Sequence, residues 1–150
     1  MLRTAWLLTG DAGRAEDLLL TALSVAWAKW AWILGGGPPE EYVRRVLVTR
    51  YVSGLRRFEA STSVLPEARP AHDEVVRSAD LDAVRRALAG LTRRQRAVVV
   101  LRYVEDLSIA ESADILGCSA VTVRVQAGRA VAALRIDPRV AALGNDEGVS

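Results

Sequence analysis

The chain has one cysteine, one histidine, one methionine and one phenylalanine among its 150 residues. A single cysteine, Cys118, excludes an internal disulfide and fits a reducing compartment. One cysteine and one histidine (His72) leave too few ligands for a metal site built by the protein. Strand signals are nearly absent: there is no Asn-Gly hairpin turn and no sustained period-two alternation. No Walker loop, nucleophile elbow, paired-carboxylate pattern or zinc spacing occurs, so neither catalysis nor a cofactor is expected. The start, Met1-Leu2-Arg3, lacks the pattern of a signal peptide. The most apolar stretch, Leu18 to Leu34, is barely long enough for a membrane span, and Thr21, Ser24 and Lys29 interrupt it. We read it as a core helix, and expect a cytoplasmic protein without membrane insertion.

What is present is helical. Hydrophobic residues make up 51% of the chain and charged ones 25%, a globular balance. Ala15, Leu18, Leu19, Ala22, Leu23, Ala26, Trp27 and Trp30 recur at i, i+3, i+4 and i+7, which predicts one long helix with these residues facing the core. Asp11 is placed to cap it, and the Gly35-Gly36-Gly37-Pro38-Pro39 run to end it. A short helix from Leu2 to Leu8 precedes it, and one from Glu40 to Phe58 follows, giving a three-helix N-terminal unit. Residues 59–79 hold two prolines, few large apolar residues and no periodicity, so they read as a linker. Four short helices are expected next. Leu81 to Ala89 is the first. Thr92-x-x-Gln95 opens the second, to about Tyr103, and Ser108-x-x-Glu111 opens the third, each with a capping box. Gly117 stops the third, and Ser119 caps the fourth, which runs to about Arg135. The fold class is all-α: two small helical domains, residues 1–58 and 80–136, with a linker at 59–79 and a tail at 137–150.

Charge is unevenly spread although the formal net charge is only +2. Residues 41–58 carry five arginines (Arg44, Arg45, Arg50, Arg56 and Arg57) against one acid, Glu41. Residues 81–135 carry nine arginines against five acids, whereas 59–80 carry five acids against two arginines. Two basic blocks flanking an acidic connector fit two surfaces for a polyanion. The plainer alternative, solvated helix faces, accounts for charge alone equally well.

The last two helices have helix-turn-helix grammar. Ala113 allows a close helix crossing, Gly117 four residues on permits a left-handed turn, and Val123 six further seats the second helix. That second helix offers Ser119, Thr122, Arg124, Gln126 and Arg129 away from the core, side chains able to meet phosphates or base edges in a major groove. A structural hairpin is the alternative, and the combined spacing, caps and donors favour DNA binding. Cys118, in the turn, reads as a small buried filler rather than a redox switch; His72, in the linker, reads as solvated.

These residues carry a specific resemblance. LTRRQRAVVVLRYVEDLSIAESADILGCSAVTVRVQAGRAVAALR, residues 91–135, is similar to region four of the extracytoplasmic-function sigma factors of bacterial RNA polymerase. LLTGDAGRAEDLLLTALSVAWAKW resembles their region two, and PPEEYVRRVLVTRYVSGLRRF the helix that follows, in the manner of the actinobacterial sigma-E-like group. The resemblance implies a role in directing polymerase to promoters. It implies three surfaces. Asp17, Leu20, Thr21 and Ser24 meet the polymerase. Trp32, Arg44, Arg45, Arg50, Tyr51, Arg56 and Arg57 serve the minus-ten element, with Tyr42 and Tyr51 as aromatic platforms if they are not packed in the core. The fourth C-terminal helix serves the minus-thirty-five element. Core RNA polymerase and promoter DNA are the implied partners, and an anti-sigma factor is a third the resemblance admits. Trp27 and Trp30 are expected in the core.

The chain also departs from the family pattern. Leu20 and Thr21 stand where a Gln-Glu or Gln-Asp pair is usual, and Val121 and Val125 where small or hydroxyl residues are common. Gly128 lies within a helix at a cost of about 1 kcal/mol relative to alanine. The chain starts about a helix later than most relatives. Two other readings stay open. One is a degenerate sigma-like protein that occupies polymerase or an anti-sigma factor. The other is a response-regulator-type or quorum-type helix-turn-helix regulator, for which residues 1–58 are too short and too helical to supply the sensory domain.

Overall fold

A computed structural model describes residues 1–58 and 79–138 of the chain, with the side chains of 55–58 and 79 excepted. The expected linker, His72, the side chains of Arg56 and Arg57, and most of the tail therefore lie outside the described residues. The helices are α1 (Leu2–Thr9), α2 (Ala12–Ala28), α3 (Trp30–Gly36), α4 (Pro39–Phe58), α5 (Ala79–Ala89), α6 (Arg93–Val99), α7 (Ile109–Leu116) and α8 (Ala120–Arg135). A π-helical turn, Val100–Val104, extends α6. No strand occurs among the described residues. The chain divides into two compact units, the first holding α1–α4 and the second α5–α8.

In the first unit α2 packs against both α1 and α4. Gly10 ends α1 in the left-handed conformation (φ 72°), its N–H donating to the Trp6 carbonyl at 2.7 Å. Asp11 then opens α2 as expected: its Oδ1 accepts from the Arg14 N–H at 2.8 Å. The core is made by Ala5, Trp6, Leu7 and Leu8 of α1, Ala15, Ala22 and Ala26 of α2, Ile33 of α3, and Val43, Leu47, Val48 and Tyr51 of α4. The buried face of α2 is thus a seam of alanines, which lets two neighbouring helices come close.

Two expectations fail here. The long helix is broken: at Lys29 the backbone leaves helical geometry (φ −116°, ψ 18°), and α3 departs from α2 at 82°. The bend turns Ile33 back into the core, where it is 4% exposed. A straight continuation would carry that residue onward along the α2 axis. The second failure concerns the tryptophans. Trp27 is 75% exposed and Trp30 is exposed as well, the two rings lying 6.1 Å apart, centroid to centroid. Leu23 is likewise exposed. The apolar residues of α2 cover more of the helix than one core can bury, and the small ones win the inside. Among the described residues no single helix is long and apolar enough to cross a membrane; only the bent pair α2 and α3 together reach that length and composition.

The second unit is held by local devices. Thr92 and Gln95 form the expected capping box of α6, and Ser108 and Glu111 that of α7, each with both reciprocal hydrogen bonds. Arg96 ties α5 to α6: its Nε donates to the Leu88 carbonyl at 2.8 Å, and its Nη2 lies 3.3 Å from the carbonyls of Ala89 and Leu91. A cation there satisfies orphan carbonyls and meets the negative end of the helix dipole. The π turn lets the Glu105 N–H reach the Val100 carbonyl at 3.0 Å, and the chain then leaves through Asp106 at φ 55°, while the Arg102 guanidinium holds the Leu107 carbonyl. The core is built from Ala87, Leu88, Leu91, Ala97, Val98, Val99, Val100, Leu101, Ala113, Val123 and Ala130.

Candidate nucleic-acid and partner interfaces

The turn between α7 and α8 follows the expected grammar residue by residue. Gly117 takes the left-handed conformation (φ 63°, ψ 37°). The Cys118 N–H donates to the Ala113 carbonyl at 3.1 Å, closing the end of α7. Ser119 caps α8, its Oγ accepting from the Thr122 N–H at 3.1 Å. Val98, Ala113 and Val123 form the buried cluster that fixes the crossing, with Ile109, Leu116, Cys118 and Ala127 packed against it. Cys118 is therefore a half-buried filler. This is the helix-turn-helix class of DNA-binding fold.

The side chains assigned to α8 divide into two groups. Arg124 and Arg129 are exposed and make no hydrogen bond or ion pair among the described residues. Thr122 and Gln126 are half-buried along the edge facing the body of the unit, and Ser119 is exposed at the start of the helix. The Ser119 and Thr122 hydroxyls are also hydrogen-bonded to each other at 2.9 Å. Between the two arginines the outer arc of α8 carries Val121, Val125, Gly128 and Ala132, all exposed. α8 contains Arg124, Arg129 and Arg135 and no acidic residue.

The charge tally of the second unit overstates its polyanion surface. Arg96 and Arg102 are spent on backbone carbonyls. Arg85 and Arg86 both bind Asp82, the former at 2.9 Å, and these hydrogen bonds hold the Asp82 carboxyl below its ordinary pKa.

In the first unit Asp17, Leu20, Thr21 and Ser24 are all exposed on one side of α2. The Thr21 and Ser24 hydroxyls each donate to the carbonyl four residues earlier, of Asp17 and Leu20, at 2.8 Å. With those protons engaged, the outward oxygens and the Asp17 carboxylate form a face of acceptors. Leu20, 62% exposed, continues into Leu23 and Trp27 at helical spacing, so an apolar ridge borders the acceptor face. Leu23 and Trp27 were missed as surface residues; the signal available was their i+3 and i+7 spacing from Leu20, the residue already placed outside.

Of the residues assigned to the minus-ten element, Trp32 is 70% exposed and sets its ring edge-on to half-buried Tyr42, centroids 6.1 Å apart. Arg45 and Arg50 are exposed and Arg44 half-buried on α4. Tyr51 is a correction: it is 4% exposed, so it belongs to the core and cannot serve as a base platform. No group of three or more His, Cys, Asp and Glu side chains able to hold a metal occurs among the described residues.

Comparison with known proteins agrees with this geometry. Residues 81–134 match the family model of sigma-70, region 4. The chain is 38% identical over 138 residues to the RNA polymerase sigma-E factors of Streptomyces antibioticus and Streptomyces coelicolor, spanning 90% of this chain and 76% and 77% of theirs. The ECF RNA polymerase sigma factor SigM of Mycobacterium tuberculosis is 31% identical over 133 residues, 88% of this chain and 68% of that one. Among solved structures, the sigma factor RpoE of Bartonella quintana, co-crystallised with the anti-sigma factor NepR, superposes with a TM-score of 0.72 at 28% identity, covering 89% of this chain and 87% of that one. The chain belongs to the extracytoplasmic-function sigma factors of RNA polymerase, and its role is in transcription initiation. These relatives are regulatory proteins rather than enzymes.

Proposed function

We propose that this sigma factor engages promoter DNA through α8 at the minus-thirty-five element and through Trp32, Tyr42, Arg45 and Arg50 at the minus-ten element. The acceptor face of α2, with Asp17 at its centre, meets basic groups of the polymerase. The observation that carries the reading is the state of α8: an exposed, acid-free helix behind a correctly built turn, with Arg124 and Arg129 free of partners among the described residues. Transcription in vitro with core polymerase and a promoter library tests it, and a defined preferred sequence is expected. Arg124→Ala should flatten selectivity at one position, because losing a base-reading arginine costs roughly 1–3 kcal/mol of discrimination. Arg129→Ala, further along the helix, should weaken all sequences about equally and lower the salt dependence. Asp17→Arg should weaken polymerase capture without unfolding the protein. A library read out with no preference at all sinks the promoter reading.

A second reading, a sigma-like protein that occupies polymerase or an anti-sigma factor without directing transcription, is favoured by one observation. Leu20 and Thr21 replace the polar pair usual in the family, and Leu20 joins Leu23 and Trp27 in an exposed apolar ridge. The RpoE neighbour is seen with an anti-sigma factor, and such a factor is the third partner we assign here. Polymerase binding without promoter-dependent transcripts would establish this second reading in place of the first.

A further inference from the structure

Direct readout in a major groove is normally the work of hydrogen-bonding side chains, yet the outermost arc of α8 has none. Val121 is 63% exposed and Val125 43% exposed, one helical turn apart on the same face, with Gly128 and Ala132 continuing the strip. Arg124 lies on one edge of this strip and Arg129 on the other, and the helix has no acid. Gly128 is not there for internal packing: a Cβ added to it would meet nothing within 4 Å. A glycine inside a helix costs about 1 kcal/mol relative to alanine, and here it leaves the backbone bare on the exposed arc, where a partner can approach closely. The strip is low, apolar and bordered by cations, a shape suited to a polyanion with apolar groups on its floor.

The major groove presents one apolar group, the C5-methyl of thymine. Val121 and Val125 are four residues apart, about 6 Å along the helix axis at a rise of about 1.5 Å per residue. Two base-pair steps of about 3.4 Å each cover a comparable length. We propose that Val121 and Val125 are specificity-determining residues that read thymine methyl groups at two base pairs of the minus-thirty-five element separated by a third. The inference rests on the placement of α8 in that groove and adds to it which bases the helix selects. A polar base edge facing either valine loses water without gaining a partner, so the strip also rejects the other bases.

The test uses polymerase holoenzyme on the preferred promoter, with each thymine of the minus-thirty-five element replaced in turn by deoxyuridine, which lacks only the methyl. Burying one methyl group is worth about a fourfold change in affinity. Wild-type protein should lose about that factor at two thymines and nothing elsewhere. Val121→Ala should weaken the sensitivity at one of them and Val125→Ala at the other, since alanine retains only one methyl for the contact, with transcription from the promoter retained at a reduced level. Both variants are at exposed positions and should keep wild-type helicity and polymerase binding, which are measured alongside. Deoxyuridine without effect at every thymine, or a preferred element without thymines on either strand, overturns the proposal while leaving promoter direction intact. So does a sensitivity unchanged in both variants, and so does loss of polymerase or anti-sigma binding in them with DNA preference preserved, which would make the strip a protein contact. A holoenzyme with no promoter preference overturns this proposal together with the reading beneath it.

Discussion

The two units of the chain solve the same problem, a small helical core, with different reliance on local caps, which the first unit uses only at the Gly10–Asp11 junction among its described residues. In the second unit most helix starts are fixed by a side chain bonded to backbone: Thr92, Ser108 and Ser119 at N-termini, with Arg96 gripping the end of α5 and Gly117 ending α7. In the first unit α3 has no side-chain cap at its start, and the break before it is set by where Ile33 must go. Among the described residues the first unit also leaves more large apolar surface uncovered, at Leu20, Leu23, Trp27, Trp30, Trp32 and Leu34. A unit shaped by caps has its helix ends fixed by local hydrogen bonds. A unit with a ridge of exposed leucine and tryptophan has surface left for a partner to cover.

This contrast can be broken in several ways. The largest effect should come from Leu101→Ala, which empties a fully buried site in the second unit. It should destabilise that unit by about 2–5 kcal/mol. Hydrogen exchange should show protection lost in α5–α8 and kept in α1–α4; a uniform loss would mean that the units unfold as one. Next comes Gly117→Val. A β-branched residue at φ 63° should cost at least about 1–2 kcal/mol, read from denaturant midpoints, and should disturb α8 and with it promoter binding.

Smaller still is a paired comparison. Ser108→Ala removes a cap and should cost about 1 kcal/mol. Trp27→Ser removes a far larger side chain from an exposed position and should change stability by less than about 0.5 kcal/mol. A cost for Trp27→Ser above that for Ser108→Ala would show that the tryptophan is packed after all. The smallest effect is a pH dependence. Its hydrogen bonds to Arg85 and Arg86 depress the Asp82 pKa, so its contribution is full above the ordinary carboxylate value of 3.8 and fades as pH falls through that range. Asp82→Asn should be weaker than wild type at neutral pH, and the gap should close on acidification. Solvent exposure keeps this difference small.

What was legible in the sequence follows the same division. Gly117, Ser119 and both capping boxes act through their own short side chain or missing Cβ, so local spacing was enough to place them. The break at Lys29 bears no glycine, proline or capping residue, because it is decided by contacts far along the chain. Periodicity likewise marked α2 as apolar but did not tell which apolar residues win the inside; close packing against α1 and α4 chose alanines over Leu23 and Trp27. The expectation that Tyr51 faces DNA failed for a related reason, since it shares the buried arc of α4 with Val43, Leu47 and Val48. Arginine counts located basic blocks, yet they cannot separate Arg96 and Arg102, which hold carbonyls, from Arg124 and Arg129, which hold nothing within the described residues.

The tryptophans give the molecule a built-in optical asymmetry. All four, Trp6, Trp27, Trp30 and Trp32, belong to the first unit, and the second has none. Tryptophan emission, excited selectively over that of Tyr103, therefore watches one half of the protein and is blind to the other. Within that half only Trp6 is buried, so it alone should shift to the red on unfolding, above the already solvated emission of the other three. A partner covering the α2 ridge would move emission the opposite way, to the blue. Occupation of the first unit thus carries a colour change of its own, distinct in sign from its denaturation.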